Sequence, residues 1–254
     1  MKRTIASLIA ATSILIAAPA SAADLKVISA GAVRTLISGM IDDYKKKTGD
    51  TFDFTVGPTG FLRDTIASGK PADLLITSAP LMAEIEKTGK LTPGSRVDLG
   101  RVGLGVVTRE GAAVPDVSTV EAFKQALLNA KSVAHTSPAL GGTSSTHLLA
   151  WLKKEGIADV IAKKAVHGDG GIEVSRFVAE GKAEIGVTLI SEILPVKGAR
   201  FAAPLPGTLQ LWTVYAAAIP SSSKEPAAAR AFVAALTSPE MAPRWTAGGF
   251  EPPK

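Results

Sequence analysis

The sequence predicts an α/β protein made of two lobes with a cleft between them. Short β-type runs alternate with helical patterns, which is typical of helices layered on mainly parallel sheets. Two long apolar runs, residues 101–108 and 212–219, bracket a middle segment with an α/β pattern of its own. One α/β unit inserted into another through two long strands predicts two lobes, and small molecules commonly bind between such lobes.

The first lobe is predicted to begin with residues 23–104. Strands are predicted over 25–28, 51–56 and 73–77, and a helical pattern follows each of them. The first helix is expected to end at Gly49, because Lys45, Lys46 and Lys47 place cations near its negative end and a glycine follows.

The second lobe is predicted over residues 105–211, and residues 212–254 are predicted to return to the first lobe. In the second lobe, strands are expected over 132–135, 164–167 and 184–187 and helices over 120–129, 145–155, 172–180 and 190–196. The returning segment is predicted to contain the strand 212–219 and helices over 224–237 and 239–246. A hinge is expected where the long strands cross, near 103–105 and 214–216.

Residues 1–22 predict an export signal. A basic start at Lys2 and Arg3, an apolar run over 4–18 and a small-residue exit at Ala22 are what signal peptidase recognises. The apolar run is too short to span a bilayer. We therefore expect cleavage after Ala22 and a periplasmic location.

Composition narrows the classes of partner. Taking Lys2 and Arg3 from the 28 basic residues leaves 26 against 23 acidic ones, so the net charge falls from +5 to +3. A mildly basic surface without basic runs suits a small anion and does not indicate nucleic acid or a membrane surface. The chain has no cysteine, which excludes disulfides, a thiol nucleophile and thiolate metal ligands.

Four small-residue turns each precede a predicted helix. Open α/β sheets bind ligands beyond the carboxyl ends of their strands. At such turns the unpaired N–H groups and partial positive charge of a helix N-terminus can hold an anion without a metal. The residues of these turns that we predict to bind a ligand are Gly31, Ala32, Thr59, Gly60, Gly142, Thr143, Ser144 and Gly171.

Several segments resemble periplasmic molybdate-binding proteins, the type II solute-binding proteins of ABC importers. The resemblance lies in residues 69–79, 181–186, 236–240 and 249–252 and extends over the whole mature chain. It implies the two-lobed type II periplasmic binding fold with a hinged cleft, a small anionic ligand and an ABC permease as partner. We expect no cofactor and a monomer.

The ligand-binding positions of that family differ in this chain. Its members hold molybdate with serine hydroxyls and N–H groups of the first two turns and with a tyrosine of the second lobe. Here Gly31 and Ala32 stand in the first turn, and Thr59 offers the only hydroxyl of the second. The corresponding segment 188–192 of the second lobe has no tyrosine, and Ser191 is the residue there that we predict to bind the ligand.

Two arginines stand near the first two turns. Arg34 and Arg63 each lie three residues into a predicted helix. A guanidinium fork matches a carboxylate, which favours a di- or tricarboxylate ligand. Molybdate or tungstate stays as an alternative.

An enzyme is the other alternative. Chains similar to this family include aconitate isomerases, which need a clamp for carboxylates and a group that moves a proton. The candidates for that group are His135, His147, His167 and Glu192. The histidines lack metal-ligand spacing, so no metal site is expected, and the chain contains no G-x-S-x-G, P-loop or G-x-G-x-x-G motif.

Overall fold

A computed structural model describes residues 22–252 of the chain, so the predicted export signal lies outside the described residues except for Ala22. The strands are β1 (Asp24–Ala30), β2 (Thr51–Gly57), β3 (Leu74–Ser78), β4 (Val97–Arg109), β5 (Val133–Thr136), β6 (Ala165–Gly168), β7 (Ile185–Leu189), β8 (Ala199–Pro204), β9 (Trp212–Ala218) and β10 (Phe250–Glu251). The helices are α1 (Gly31–Thr48), α2 (Thr59–Ala67), α3 (Ala79–Glu86), α4 (Val120–Asn129), α5 (Thr143–Lys154), α6 (Ala158–Ala162), α7 (Gly171–Ala179), α8 (Ile190–Ile193), α9 (Pro226–Leu236) and α10 (Ala242–Ala247). No helix between residues 22 and 252 combines the length and apolarity that crossing a lipid bilayer requires.

The strands join in the order β2-β1-β3-β9-β4-β7-β5-β6, with β8 and β10 paired to β4. The strands β1, β2 and β3 are parallel to one another, and so are β5, β6 and β7. The long strands β4 and β9 run antiparallel to their neighbours. Each lobe therefore has a parallel set of strands, and an antiparallel pair connects the two sets.

Apolar residues of β3 and α1 form the core of the first lobe. Strand β3 is buried along its whole length, as expected of a strand flanked by two others and covered on both faces. Helix α1 packs Val33, Ile37 and Ile41 into the core. It ends where Gly49 takes a left-handed conformation with φ of 80°, which glycine adopts without steric cost.

Strand β4 passes from one lobe to the other. Its first half pairs with β9 as far as Gly103, and its second half pairs with β7 from Leu104 onward. This change of partner lies within the predicted hinge 103–105. The other predicted hinge, 214–216, stays a prediction: these residues pair with β3 and with the first half of β4, so they lie among the strands of the first lobe. The lobe boundaries after residues 104 and 211 stay a prediction, which these pairings favour.

The side chain of Gln210 holds β4 at its change of partner. Its Oε1 accepts a hydrogen bond from Leu104 N at 2.8 Å, and its Nε2 donates to Leu104 O at 2.9 Å. Gly103 leaves room for this amide, because a Cβ there would lie 3.1 Å from Gln210 Nε2. The amide thus replaces a strand partner between the end of β8 and the start of β9.

Replacing Gln210 with alanine is expected to lower the free energy of unfolding by about 1–2 kcal/mol, because Leu104 N loses this acceptor and Leu104 O keeps the bond from Leu205 N but loses the one from Gln210. Urea unfolding followed by circular dichroism measures this loss. The matched control is Gln125→Ala, which removes an exposed amide bonded to Glu121 of its own helix. Equal stability of the two variants would contradict the assigned role of Gln210.

Candidate functional site

A cavity of about 220 Å³ lies between the lobes. The first turns of α1, α2, α5 and α7 form most of its wall, and α8 and β9 complete it. Its lining consists of Ala30, Gly31, Ala32, Thr35, Val56, Gly57, Pro58, Thr59, Thr136, Gly142, Thr143, Ser144, Asp169, Gly170, Gly171, Ile172, Leu189, Glu192 and Tyr215. The predicted turns therefore meet at one place.

The lobes touch each other at the edge of this cavity. Thr59 Oγ1 of the first lobe lies 3.0 Å from Thr143 Oγ1 of the second. Gly60 N donates to Gly141 O at 3.3 Å, and a Cβ at Gly60 would lie 2.5 Å from Leu140 O. The structure thus has a closed cleft, and glycine at position 60 permits this close approach of the two backbones.

The helix N-termini facing the cavity have no cap from their own N-cap residues, but two of their N–H groups are already bonded, Gly60 N to Gly141 O and Gly171 N to Glu192. In the described structure the N-caps Ala30, Pro58, Gly142 and Gly170 form no side-chain capping bond. A helix start without such a cap leaves backbone donors and a partial positive charge. Four of them converging from both lobes favour an anionic ligand.

Seven of the eleven predicted ligand residues line the cavity; Gly60, Ser191 and the two arginines do not. Those in the wall are Gly31, Ala32, Thr59, Gly142, Thr143, Ser144 and Gly171. Gly60 instead forms the contact between the lobes. Ser191 faces a separate groove beside Thr35 and Arg244, and its buried Oγ has no hydrogen-bond partner among the described residues.

The two arginines predicted to bind the ligand lie outside the cavity wall, which corrects the expected guanidinium clamp. The guanidinium of Arg34 stacks on the ring of Phe54 at 4.2 Å and donates to Ser38 of its own helix. Arg63 is exposed and pairs with Glu84 at 3.2 Å. Both arginines thus have partners outside the cavity. Among the described residues, the cavity wall therefore has no cationic side chain.

The three histidines also lie outside the cavity wall. His135 is buried beside His167, with ring centroids 4.8 Å apart, and its Nδ1 lies 2.9 Å from Thr136 O. Burial lowers the pKa of His135, and the charge of His167 adds to that effect. His147 contacts Leu209 O at 2.8 Å on the outer face of the second lobe. Of the four predicted proton-transfer candidates, only Glu192 faces the cavity.

Glu192 is held where the two lobes meet. Its side chain is buried, with 8% exposure, and Thr188 Oγ1 donates to Oε2 at 2.8 Å. A Cβ at Gly31 would lie 3.3 Å from Oε1, and one at Gly171 would overlap Oε2. Burial raises the pKa of the Glu192 carboxyl, and hydrogen bonds from Thr188, Leu189 and Gly171 offset part of that rise. The cavity thus contains a carboxyl that can exchange a proton nearer to neutral pH than an exposed glutamate.

Sequence reasoning missed Tyr215, which lines the cavity from β9 with 2% exposure. Burial raises the pKa of its hydroxyl, and the charge of Glu192 adds to that increase. The segment 188–192 contains no tyrosine, and the tyrosine of the cavity wall comes from β9. Thr35, Thr136 and Asp169 were missed as well. For the last two the available signal was their position at a strand end, since Thr136 is the last residue of β5 and Asp169 directly follows β6.

The described residues contain no set of metal ligands. Between residues 22 and 252, no group of three or more His, Asp or Glu side chains is placed to hold a metal ion. The chemistry of the described site is that of backbone N–H groups, hydroxyls, one tyrosine and carboxyl groups.

Comparison with known proteins identifies a family and two relatives of this chain. A family model described as bacterial extracellular solute-binding protein matches residues 25–251. Aconitate isomerase from Pseudomonas sp. is 31% identical over 255 residues, which cover 97% of this chain and 94% of that protein. The molybdate-binding protein ModA from Azotobacter vinelandii is 27% identical over 180 residues, 70% of this chain and 69% of its own.

A solved structure confirms the fold class. The periplasmic molybdate-binding protein of Azotobacter vinelandii superposes with a TM-score of 0.71 at 21% identity, covering 91% of this chain and 100% of that one. The predicted two-lobed α/β fold and the resemblance to the molybdate-binding type are therefore confirmed. The chain belongs to the bacterial extracellular solute-binding protein family.

Proposed function

We propose that the protein is a periplasmic receptor that closes over a small di- or tricarboxylate and presents it to an ABC importer. The observation that carries this proposal is the closed cavity between four uncapped helix N-termini, two from each lobe. A ligand held by N–H groups of both lobes stabilises closure, since each lobe supplies part of its binding energy. The predicted export signal and the family support a periplasmic location and an inner-membrane permease as partner.

The size of the cavity favours an organic acid over a tetrahedral oxyanion. A cavity of about 220 Å³ is several times larger than the space of about 30 Å³ that one water molecule occupies in the liquid. Four oxygens around one central atom would leave part of this space empty. A six-carbon acid with three carboxylates fills it better and can place a carboxylate at more than one helix N-terminus.

Isomerisation of such an acid is the second candidate function. Two observations favour it: the 31% identity with aconitate isomerase across nearly the whole of both chains, and a titratable carboxyl in the cavity wall. Moving a double bond along a polycarboxylate needs the same anion site together with a group that carries a proton.

Ligand-dependent thermal unfolding tests the proposed ligand class. We expect trans-aconitate or another tricarboxylate to raise the melting temperature, whereas molybdate and sulfate leave it nearly unchanged. A ligand at 100 times its Kd adds about 2.7 kcal/mol to the free energy of unfolding, which is readily measured. Stabilisation by molybdate alone would contradict the proposal.

Two variants, one in the cavity wall and one outside it as the control, test which residues bind the ligand. Thr143→Val removes a hydroxyl from the cavity wall and from the contact with Thr59, so it should weaken tricarboxylate binding about tenfold. Arg63→Ala removes an exposed ion pair outside the wall and should leave the affinity unchanged. A large loss of affinity in Arg63→Ala would favour the guanidinium clamp over the binding site assigned here.

A further inference from the structure

Glu192 is a feature of the cavity that capture of an anion does not explain. Its carboxyl lies in a wall formed mainly by helix N-termini, which it shares with the carboxyl of Asp169 and with no Lys, Arg or His of the described residues. A carboxylate there would repel an anionic ligand in a region of low dielectric constant. A receptor would bind better with a neutral side chain at this position, so the carboxyl requires another role.

The surroundings of Glu192 hold the carboxyl in one place. Thr188 fixes Oε2 from the preceding turn, and glycine at position 171 lets the start of α7 approach that oxygen closely. From the other lobe, Gly31 brings the first turn of α1 toward Oε1. The carboxyl therefore lies between two of the helix N-termini that would hold the carboxylates of a ligand, within reach of the ligand's carbon skeleton.

The environment also suits proton exchange. Burial raises the pKa of the carboxyl from the ordinary glutamate range, and a general base works best when its pKa is close to the working pH. Contact between the lobes at Thr59 and Thr143 limits the access of water to the cavity. Proton transfer in a closed site avoids the loss of a reactive carbanion to solvent.

We propose that Glu192 is a catalytic residue, the base and acid of an allylic proton shift in a bound unsaturated tricarboxylate. This inference rests on the proposed ligand class and selects the isomerase among the two candidate functions. It assigns the neighbouring Tyr215 and the helix N-termini to binding and to charge stabilisation.

The step conserves atoms and electrons. The Glu192 carboxylate takes a proton from the methylene group next to the double bond, and the C–H electron pair forms the new double bond. The electron pair of the old double bond moves to its far carbon, onto which Glu192 returns the proton. The negative charge that develops spreads onto a ligand carboxylate facing backbone N–H groups, which stabilise it. Substrate and product are isomers, so the shift needs no oxidant, reductant or second substrate.

The test follows trans-aconitate with the mature protein in D2O by proton NMR, with the affinity measured separately by calorimetry. Wild-type protein should form the cis isomer. Glu192→Gln should lower the rate at least 100-fold while binding trans-aconitate as tightly as wild type or more tightly, because the amide is isosteric and uncharged. Glu180→Gln, at an exposed glutamate paired with Lys182, should keep the wild-type rate.

The outcomes separate this inference from the proposed ligand class. A Glu192→Gln variant that keeps its rate, or that loses only affinity, overturns the role of Glu192. Tight binding without turnover by wild type also overturns it and leaves a receptor for tricarboxylates, whereas absence of binding refutes the ligand class itself. If Glu192→Gln does not fold, Glu192→Asp replaces it: the retracted carboxyl should reduce turnover more than tenfold without changing the affinity, and an unchanged rate would refute the inference.

Discussion

Alanine at position 171 is expected to destabilise the protein by about 1–3 kcal/mol, the usual cost of forcing a methyl group into a filled site. Gly171 is the first residue of α7, and a Cβ there would overlap both Glu192 Oε2 and Thr188 Oγ1. All three groups belong to the second lobe, so opening the cleft does not relieve the overlap. Either the start of α7 or the Glu192 carboxyl must move, and a displaced carboxyl would enter the space of the ligand.

Urea unfolding and calorimetry with trans-aconitate measure the two consequences of Gly171→Ala. We expect a lower unfolding midpoint and an affinity reduced at least tenfold. The preceding Gly170 is a matched control for stability, because a Cβ there would meet no atom within 4 Å and its φ of −174° suits any residue. Gly170→Ala should therefore change the free energy of unfolding by less than about 0.5 kcal/mol. Similar stabilities of the two variants would mean that Glu192 is not fixed in place.

The sequence contains enough information to predict most of the fold. Continuous apolar runs identify β3 and β4, and helical spacing with a lysine-rich end and a glycine identifies α1. Strand β8 was not predicted, because its small residues have little intrinsic β-propensity and pairing with β4 decides its conformation. Helix α8 was predicted to reach residue 196 but ends at Ile193: Leu194 still has helical backbone angles, and Pro195, which has no N–H, cannot continue the helical hydrogen bonds.

The candidate site was predictable where local sequence determines it. Small residues between a strand and a helix place backbone donors at a sheet edge, and the turns at Gly31, Thr59, Thr143 and Gly171 meet there as predicted. Side chains that depend on tertiary partners were not predictable in this way. The long side chain of an arginine three residues into a helix can adopt several directions. Arg34 stacks on the ring of Phe54 and Arg63 pairs with the carboxylate of Glu84, both on neighbouring elements.

Tyr215 shows a different limit. It reaches the cavity because β9 runs antiparallel between β3 and β4, with Tyr215 opposite Ser78 and Gly100. The register between strands distant in sequence depends on packing and bulges, which a single sequence does not reveal. The apolar run that contains Tyr215 predicted a strand, and only the observed pairing places its side chain at the ligand cavity.

Asp73 is expected to be the most important single carboxylate for stability. Its Oδ2 accepts a hydrogen bond from Lys26 N of β1, and its Oδ1 accepts from Ser223 Oγ, Lys224 N and Glu225 N directly before α9. One buried side chain thus connects the first strand of the chain with the returning C-terminal segment. Asp73→Ala removes the acceptor of Lys26 N and Lys224 N, whereas Glu225 N keeps Ser223 Oγ at 3.2 Å, and it should lower the free energy of unfolding by about 2–4 kcal/mol.

Two variants separate the effect of the Asp73 hydrogen bonds on stability from the general effect of removing an acidic side chain. Asp73→Asn keeps one carbonyl oxygen as acceptor but loses the charge, so its destabilisation should be smaller than that of Asp73→Ala. Asp116→Ala removes an exposed carboxylate that accepts a backbone bond from Ser118, and it should destabilise the protein much less than Asp73→Ala. Equal losses in Asp73→Ala and Asp116→Ala would contradict the role of Asp73.

The pH dependence of stability tests the charge of Asp73 itself. Burial alone would raise the pKa of Asp73, but the hydrogen bonds from Lys26, Lys224, Ser223 and Glu225 outweigh it and hold the pKa below its ordinary value. A group whose pKa is lower in the folded state stabilises that state above its unfolded pKa, which is about 4 for aspartate. This contribution is lost as the pH falls through the lowered pKa, because protonation then weakens the bonds to the donors. The stability difference between wild type and Asp73→Asn should therefore be constant from pH 7 to about pH 5 and shrink below about pH 4. A difference that grows on acidification would mean that the folded protein holds Asp73 in its neutral form.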